Sequence, residues 1–334
     1  MTATIKQIAD ELGISASTVS RALTGFAYVS ENTRKKVLEK AEELDYSPNM
    51  WAQNLVGSQS NIIGCLVLEL SNPFYIPMVR AIEDVTGKNE LITFITETRR
   101  DLQTEKYMIE RFKRVRASGV ILTPVLSDLS HLKDLEKMGI PIVVVGRTVN
   151  ELDSINIDNI ESGKLAATHL IEKGFRRFGF IQSGDLYNHP EQERLQGFRN
   201  ELLSHGLKLN TIYTVGNNHI NGGEKAGELW INDKNRPEAI FCSNDMLAMG
   251  FIQSMVRIGI DIPGDVAVLG HDDTPFTDNF IVPISTIAFP KYEMGKMAIR
   301  LLLKRINLES NQHTPALFSL EPSLVERRST DKRI

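Results

Sequence analysis

The sequence predicts an all-α head containing a helix-turn-helix, followed by an α/β core of two doubly wound parallel-sheet lobes. Three observations carry this. Residues 4 to 45 hold three short amphipathic stretches of helical period, separated by Gly13 and by Thr24-Gly25. From Ile62 onward, apolar runs alternate with amphipathic stretches, the pattern of parallel βαβ units. The length of 334 residues leaves room for about two domains at roughly 150 residues each, and for a large core.

In the first helix Thr4 and Gln7 have capping-box spacing. Ile5, Ile8, Ala9 and Leu12 follow at i, i+3, i+4 and i+7, and Gly13 closes it. Ser15 caps a second helix, Ala16 to Leu23, with Ala16, Val19 and Leu23 inward and Ser17, Ser20 and Arg21 outward. Ser30 caps a third, Glu31 to Leu44, which buries Val37, Leu38, Ala41 and Leu44. The strands of the core read as "IIGCLVL", "LITFIT", "GVILTP", "IPIVVVG", "SINID", "RFGFIQ", "EAIFCSND" and "DVAVLG". They are too many for one comfortable sheet, so two lobes are expected, breaking near Asn156 to Asn159. The expected division is a head at 1–46, a connector at 47–60 and a core at 61–334. Lobe 1 then takes about 61–157 and 289–334, with the tail crossing back to it, and lobe 2 about 158–288.

Net charge is −4, which argues against a generally basic nucleic-acid binder. Locally, residues 14 to 38 carry +3 and residues 39 to 45 carry −3, an oriented footprint suited to phosphate on one side. Spacing alone fits a plain three-helix bundle equally well. Cys65 and Cys242, the only cysteines, sit in apolar runs and read as buried thiols rather than a disulfide or metal pair. There is no signal-peptide pattern and no apolar run long enough to span a bilayer, so a cytoplasmic protein without membrane contact is expected. With no G-x-S-x-G, H-E-x-x-H, P-loop or post-strand G-x-G-x-x-G, the sequence predicts no enzyme, and no cofactor or metal is expected.

The run "TIKQIADELGISASTVSRALTGFAYVSENTRKKVLEKAEELDYSPN" resembles the DNA-binding head of the LacI/GalR family of transcriptional regulators, and the resemblance continues through nearly the whole chain. It implies that Ala16 and Ser17 choose bases and that Arg21 reads a guanine, the commonest bidentate base contact. It implies backbone contacts from Thr4, Ser15, Thr18, Ser20, Tyr28, Ser30 and Thr33, each of which is also a natural cap or turn residue. It also makes Asn49 to Val56 a hinge helix, too short to stand alone, that folds with its dimer mate in the minor groove. Asn49, Ala52, Gln53 and Leu55 would then touch DNA, Leu55 as a wedge between base steps. "AQNL" replaces the commoner A-R-S-L form, and Trp51 stands where a smaller aliphatic residue is usual.

"LSNPFY", "IDNIESGKLAATHLIEKGFRRFGFI", "ERLQGF", "FCSNDMLAMG", "VLGHDDTPF" and "PISTIAFPKYEMGKMAIRLLL" are similar to the same family's core, which shares its fold with type I periplasmic sugar-binding proteins. A ligand is then expected in the crevice at the strands' carboxyl ends. The resemblance places Phe74, Arg194, Asn244 and Asp272 on it, with Arg147 and Asp158 matched more loosely. Stacking plus Arg, Asn and Asp suits a sugar or sugar derivative; a purine is the alternative. His271 stands where Phe or Tyr is usual and reads as a packing or hydrogen-bonding residue. Asp272 is expected in the cleft and Asp273 in structure. "TETRRDLQ" departs from the family's loop and leaves its side of the pocket unassigned. The implied protein is a homodimeric repressor on a near-palindromic operator. The rival, a cytosolic sugar-binding module without DNA output, is opposed by the head and hinge.

Overall fold

The structure, a computed structural model, describes residues 3–24, 29–46, 60–126, 128–185, 189–308 and 314–331. It divides into two compact units, 1–60 and 61–334.

The first unit holds α1 (Ile5–Leu12), α2 (Ala16–Thr24) and α3 (Glu31–Glu43). The Thr4 side chain accepts from the Gln7 backbone N–H at 3.2 Å, and Gly13 ends the helix in the left-handed region at φ 64°. Ser15 and Ser30 cap α2 and α3 in the same way, accepting from the N–H of Thr18 and Thr33 at 3.1 and 3.2 Å. Ile8, Ala9, Val19, Ala22, Val37 and Ala41 form the small core. Two expectations fail. Ala16 is exposed, because the first turn of α2 projects beyond the core, and Ala22 is buried instead. Leu38 is 50 % exposed, because Val37, Ala41 and Leu44 set the inward stripe and Leu38 lies about 100° around the helix from Val37.

In the second unit the strands are β1 (Ile62–Val67), β2 (Ile92–Glu97), β3 (Gly119–Leu122), β4 (Ile142–Val145), β5 (Asp153–Ile157), β6 (Phe178–Gln182), β7 (Leu209–Thr214), β8 (Ala239–Cys242), β9 (Ala267–His271), β10 (Ser285–Ala288), β11 (Leu317–Leu320) and β12 (Ser323–Val325). The helices are α4 (Tyr75–Lys88), α5 (Leu102–Arg114), α6 (Lys133–Lys137), α7 (Asn159–Glu172), α8 (His189–Ser204), α9 (Ile220–Asn232), α10 (Asp245–Arg257) and α11 (Lys291–Ile306). One sheet runs β11-β5-β4-β3-β1-β2 and the other β12-β10-β9-β8-β6-β7, parallel throughout except for β12. The central strands β1, β3, β4, β8 and β9 are buried along their whole length, as sheets covered on both faces require.

The chain leaves lobe 1 after Ile157 and returns through α11, whose Met294, Ala298, Ile299 and Leu302 pack with Ile63, Val143 and Ile155. The tail does not stay there as expected. β11 pairs with β5 of lobe 1, but β12 pairs antiparallel with β10 of lobe 2, and Ser329 and Thr330 are buried under that lobe by bonds to Val268 and Ser285. Each sheet thereby gains an edge strand from the tail, which a boundary drawn by sequence order could not show. Close packing of α7 on α8 relies on Gly163 and Gly197. A Cβ on either would come about 2 Å from a backbone oxygen, of Arg194 and Ile160 respectively. Cys65 and Cys242 are free, buried and in different sheets.

Candidate functional site

In the head, Ser15 Oγ lies 2.7 Å from Ser17 Oγ and 2.8 Å from Thr18 Oγ1, so three hydroxyls gather on the first turn of α2. Ala16, Ser17 and Arg21 are exposed on that helix; Thr4, Ser15 and Ser30 are exposed, and Thr18, Ser20 and Thr33 half-buried. Not every basic residue serves the surface. Arg34 donates from Nε to the Ala22 carbonyl at 3.2 Å, bracing α3 against α2, and Lys40 pairs with Glu43 and Glu11 at 2.6 and 3.5 Å. Tyr28, Asn49, Trp51, Ala52, Gln53 and Leu55, with the expected hinge helix, lie outside the described residues.

The core opens a cavity of about 660 Å³, counted to its mouth, whose walls all come from strand carboxyl ends or the segments that follow them. Lobe 1 contributes Asn72, Phe74, Tyr75, Arg100 and Thr123; lobe 2 contributes Asn159, Glu191, Arg194, Asn218 and Ser243 to Asn244, with His271 and Asp272 closing that wall. Asn72 Oδ1 accepts from the Phe74 N–H at 3.0 Å, and that turn presents the Phe74 ring edge-on to Tyr75 and tilted 50° to Phe289. Charged and polar side chains of the two lobes meet at the mouth. Glu69 meets His219 at 3.3 Å and Arg100 at 3.2 Å, and Arg100 reaches Asp185 at 4.0 Å.

Arg194 is held by the protein itself. Its Nε donates to the Pro190 carbonyl at 3.1 Å, and its Nη1 donates to the Ser243 carbonyl and lies 3.1 Å from His271 Nδ1. Burial lowers its pKa, opposed by the charges of Asp272, Glu191 and Glu193. Glu191 is buried and accepts four hydrogen bonds, from Ser183 N and Oγ, Gly184 N and Ser243 Oγ. Asn244 is spent largely on structure: its Oδ1 caps α10 at Leu247 N, 2.8 Å, and its Nδ2 donates to the Asn218 carbonyl, 3.1 Å. Asp272 adopts φ 115° and lies 2.9 Å from His271 Nδ1. Asp273 turns away to pair with Arg327 at 2.8 Å.

His271 is buried, and burial together with the Arg194 charge lowers its pKa to about 4, so it is a neutral imidazole at neutral pH. Behind it Asp245 is wholly buried, accepting from Thr274 N at 2.8 Å and Thr286 Oγ1 at 2.7 Å. Burial and the Asp272 charge raise its pKa to about 8.

Four buried polar atoms among the cavity-lining residues have no hydrogen-bond partner: Thr123 Oγ1, Asn159 Oδ1, Asn218 Oδ1 and His271 Nε2. Such orphans are rare in protein interiors, and four around one cavity mark it as a site for a polar ligand. Of the residues named from sequence, Phe74, Arg194, Asn244 and Asp272 line this cavity. Arg147 does not; it lines adjoining recesses with Asp185 and with Glu193. Asp158 caps α7, accepting from Glu161 N at 2.8 Å. Sequence reasoning missed Thr123, Asn159, Asn218 and Glu191. Asn159 falls inside the quoted "IDNIESG", and Arg100 fills the side left open by "TETRRDLQ".

A head with a helix-turn-helix, joined to a two-lobed core with a polar cavity at its strand ends, defines a ligand-responsive DNA-binding regulator. Residues 4–49 match the model for bacterial regulatory proteins of the lacI family, and residues 167–330 that for the periplasmic binding protein-like domain. The chain is 32 % identical over 336 residues to the HTH-type transcriptional repressor PurR of Aliivibrio salmonicida, covering 99 % of both chains. It is 33 % identical over 332 residues to the ribose operon repressor of Haemophilus influenzae, covering 98 % of both. A solved LacI family transcriptional regulator from Enterococcus faecalis with bound ribose is 26 % identical with TM-score 0.72, covering 80 % of this chain and 98 % of that one. The protein belongs to the lacI family of bacterial regulatory proteins.

Proposed function

We propose that this protein is a homodimeric repressor whose hold on operator DNA is set by a small polyhydroxylated effector, a sugar of monosaccharide size, bound between the lobes. The four unpartnered atoms carry this reading. Both asparagine Oδ1 atoms are acceptors and ask the ligand for donors, and Thr123 Oγ1 can take either role. A ligand presenting several hydroxyls to acceptors on both lobes, with an apolar face against Phe74, meets each demand. The fixed guanidinium of Arg194 supplies donors for its oxygens. The Phe74 and Tyr75 pair is the feature that favours a purine base instead, by stacking.

In the head, Ala16, Ser17 and Arg21 would read bases and the hydroxyls of Ser15, Thr18 and Ser30 would meet phosphates. Dimerisation is supported by β2, an edge strand that exposes Ile92 and Phe94, with Ile76 exposed on α4. Calorimetry with ribose, other pentoses, hexoses, sugar phosphates and purines, followed by an operator gel-shift with the tightest binder, tests the reading. Saturable binding of one sugar that also changes operator affinity is expected. Binding of purines alone would move the effector class to the second reading. Because coupling is reciprocal, operator DNA must change effector affinity by the same factor.

A further inference from the structure

At the end of lobe 2 away from the cavity, where its parallel strands begin, Arg177 precedes β6, Lys208 precedes β7, and Lys234 and Arg236 lie on the segment leading into β8. They line an open groove of about 1350 Å³. Among the described residues its one lining acid, Asp233, is already engaged. It accepts from Tyr213 Oη at 2.8 Å, Thr211 Oγ1 at 3.2 Å and Asn235 N at 2.8 Å, and these bonds hold its carboxyl below the usual range. Arg177 is offset by Glu238 at 3.5 Å. Lys208, Lys234 and Arg236 form no ion pair among the described residues.

The cations are positioned rather than merely exposed. Arg236 stacks on Trp230 at 4.9 Å and donates to the Ile231 carbonyl; Arg177 donates from Nε to the Arg236 carbonyl at 3.3 Å. Two guanidiniums are thus fixed in orientation, with two mobile ammoniums facing the same groove, on a chain whose net charge is −4. Concentrating four cations there, which Glu238 and Asp233 offset only in part, costs self-repulsion that a bound anion would relieve.

We propose that this groove is a binding site for a small anion carrying two or more phosphoryl groups. Phosphoryl oxygens suit both fixed guanidiniums and mobile ammoniums, and several charges are needed to engage them together. An acidic peptide fits less well. Peptide interfaces rest on buried apolar or aromatic anchors, and Leu209 is the only apolar residue lining the groove among the described residues.

The test is calorimetric titration of the full-length protein with tripolyphosphate, against the variants K208E/K234E and K133E/K137E. The second pair lies on α6 of lobe 1 and makes the same change in net charge. We expect one tripolyphosphate per chain, weakened about tenfold or more by K208E/K234E and by less than about twofold by K133E/K137E. ATP binding as tightly as tripolyphosphate would make the ligand a nucleotide; weaker ATP binding would make it an unsubstituted polyphosphate. Absence of saturable binding, equal loss in both variants, no loss in K208E/K234E, or hexaglutamate binding as tightly would each overturn the proposal. K208Q/K234Q, which removes charge without reversing it, should give an intermediate loss; an unchanged affinity there would also overturn it.

Discussion

The described head buries six side chains and keeps its polar groups outside, whereas the core buries several large clusters and keeps unpartnered polar atoms inside. The two regions meet their partners by different physics. A long, charged surface such as DNA is met by exposed hydroxyls and a few cations, which cost the fold little. A small ligand must be surrounded, so the core buries His271 and Asp272 and half-buries Arg194, and the Arg194 charge helps to lower the His271 pKa. Substitutions of exposed head side chains that cap no helix should therefore change binding without stability, and substitutions in the core should rarely separate the two.

The sharpest contrast is expected from Phe198→Ala. Phe198 is fully buried among Phe178, Phe180 and Phe241, and its loss should cost about 3–5 kcal/mol of core stability. Calorimetry should show that cost in the core transition alone; an equal shift of the head would break the two-unit picture. Next, Arg194→Met should weaken effector binding by about 1.5–3 kcal/mol through loss of a charged hydrogen-bonding group. Operator affinity without effector should stay within about twofold, measured by gel-shift.

Arg21→Ala should cost about 1–3 kcal/mol of discrimination at one base position. A competition binding assay over single-base operator variants would measure it, and unchanged selectivity would remove Arg21 from base readout.

The pH dependence of the core is the next contrast. Asp245 holds its proton in the fold up to about pH 8 but loses it near 3.8 when unfolded, so its contribution is full below 3.8 and is lost as pH rises towards 8. His271 acts oppositely: it is neutral in the fold down to about pH 4 and charges near 6.5 when unfolded, so stability is lost as pH falls from 6.5 to 4. The two oppose each other between pH 4 and 6.5. Above 6.5 Asp245 acts alone, lowering stability by at most about 1.4 kcal/mol per pH unit up to pH 8. Urea denaturation of Asp245→Asn should show that decline flattened, because the amide can accept from Thr274 N, donate to Thr286 Oγ1 and has no proton to lose. The smallest effect is expected from Thr4→Ala, about 1 kcal/mol of head stability through the lost cap, read from the head's circular dichroism melt.

The caps at Thr4, Ser15 and Ser30 and the alternation of strands with helices were legible because they depend on residues at most a few positions apart. β7, β10, β11 and β12 were not. β7 is a half-exposed and β11 a largely exposed edge strand, β12 is only three residues long, and β10 is a short run without the long apolar signature of its neighbours. Phe74, Arg194, Asn244 and Asp272 could be named from ordered motifs, but not what each spends its hydrogen bonds on. Asn244 caps a helix, and Arg194 is braced by two carbonyls and a histidine.

By itself, then, the sequence determined the family, the helix caps, the burial of most strands and the end of the strands at which a ligand would sit. These follow from local periodicity, capping and motif order. The tertiary structure alone decided the return of β12 to the second lobe and the convergence of Thr123, Asn159, Asn218 and His271 on one cavity. It also decided the opposite pKa shifts of Asp245 and His271 and the gathering of four cations at the strand origins. Each depends on groups distant along the chain becoming neighbours, and hydration, charge and hydrogen bonding are set by those neighbours rather than by sequence position.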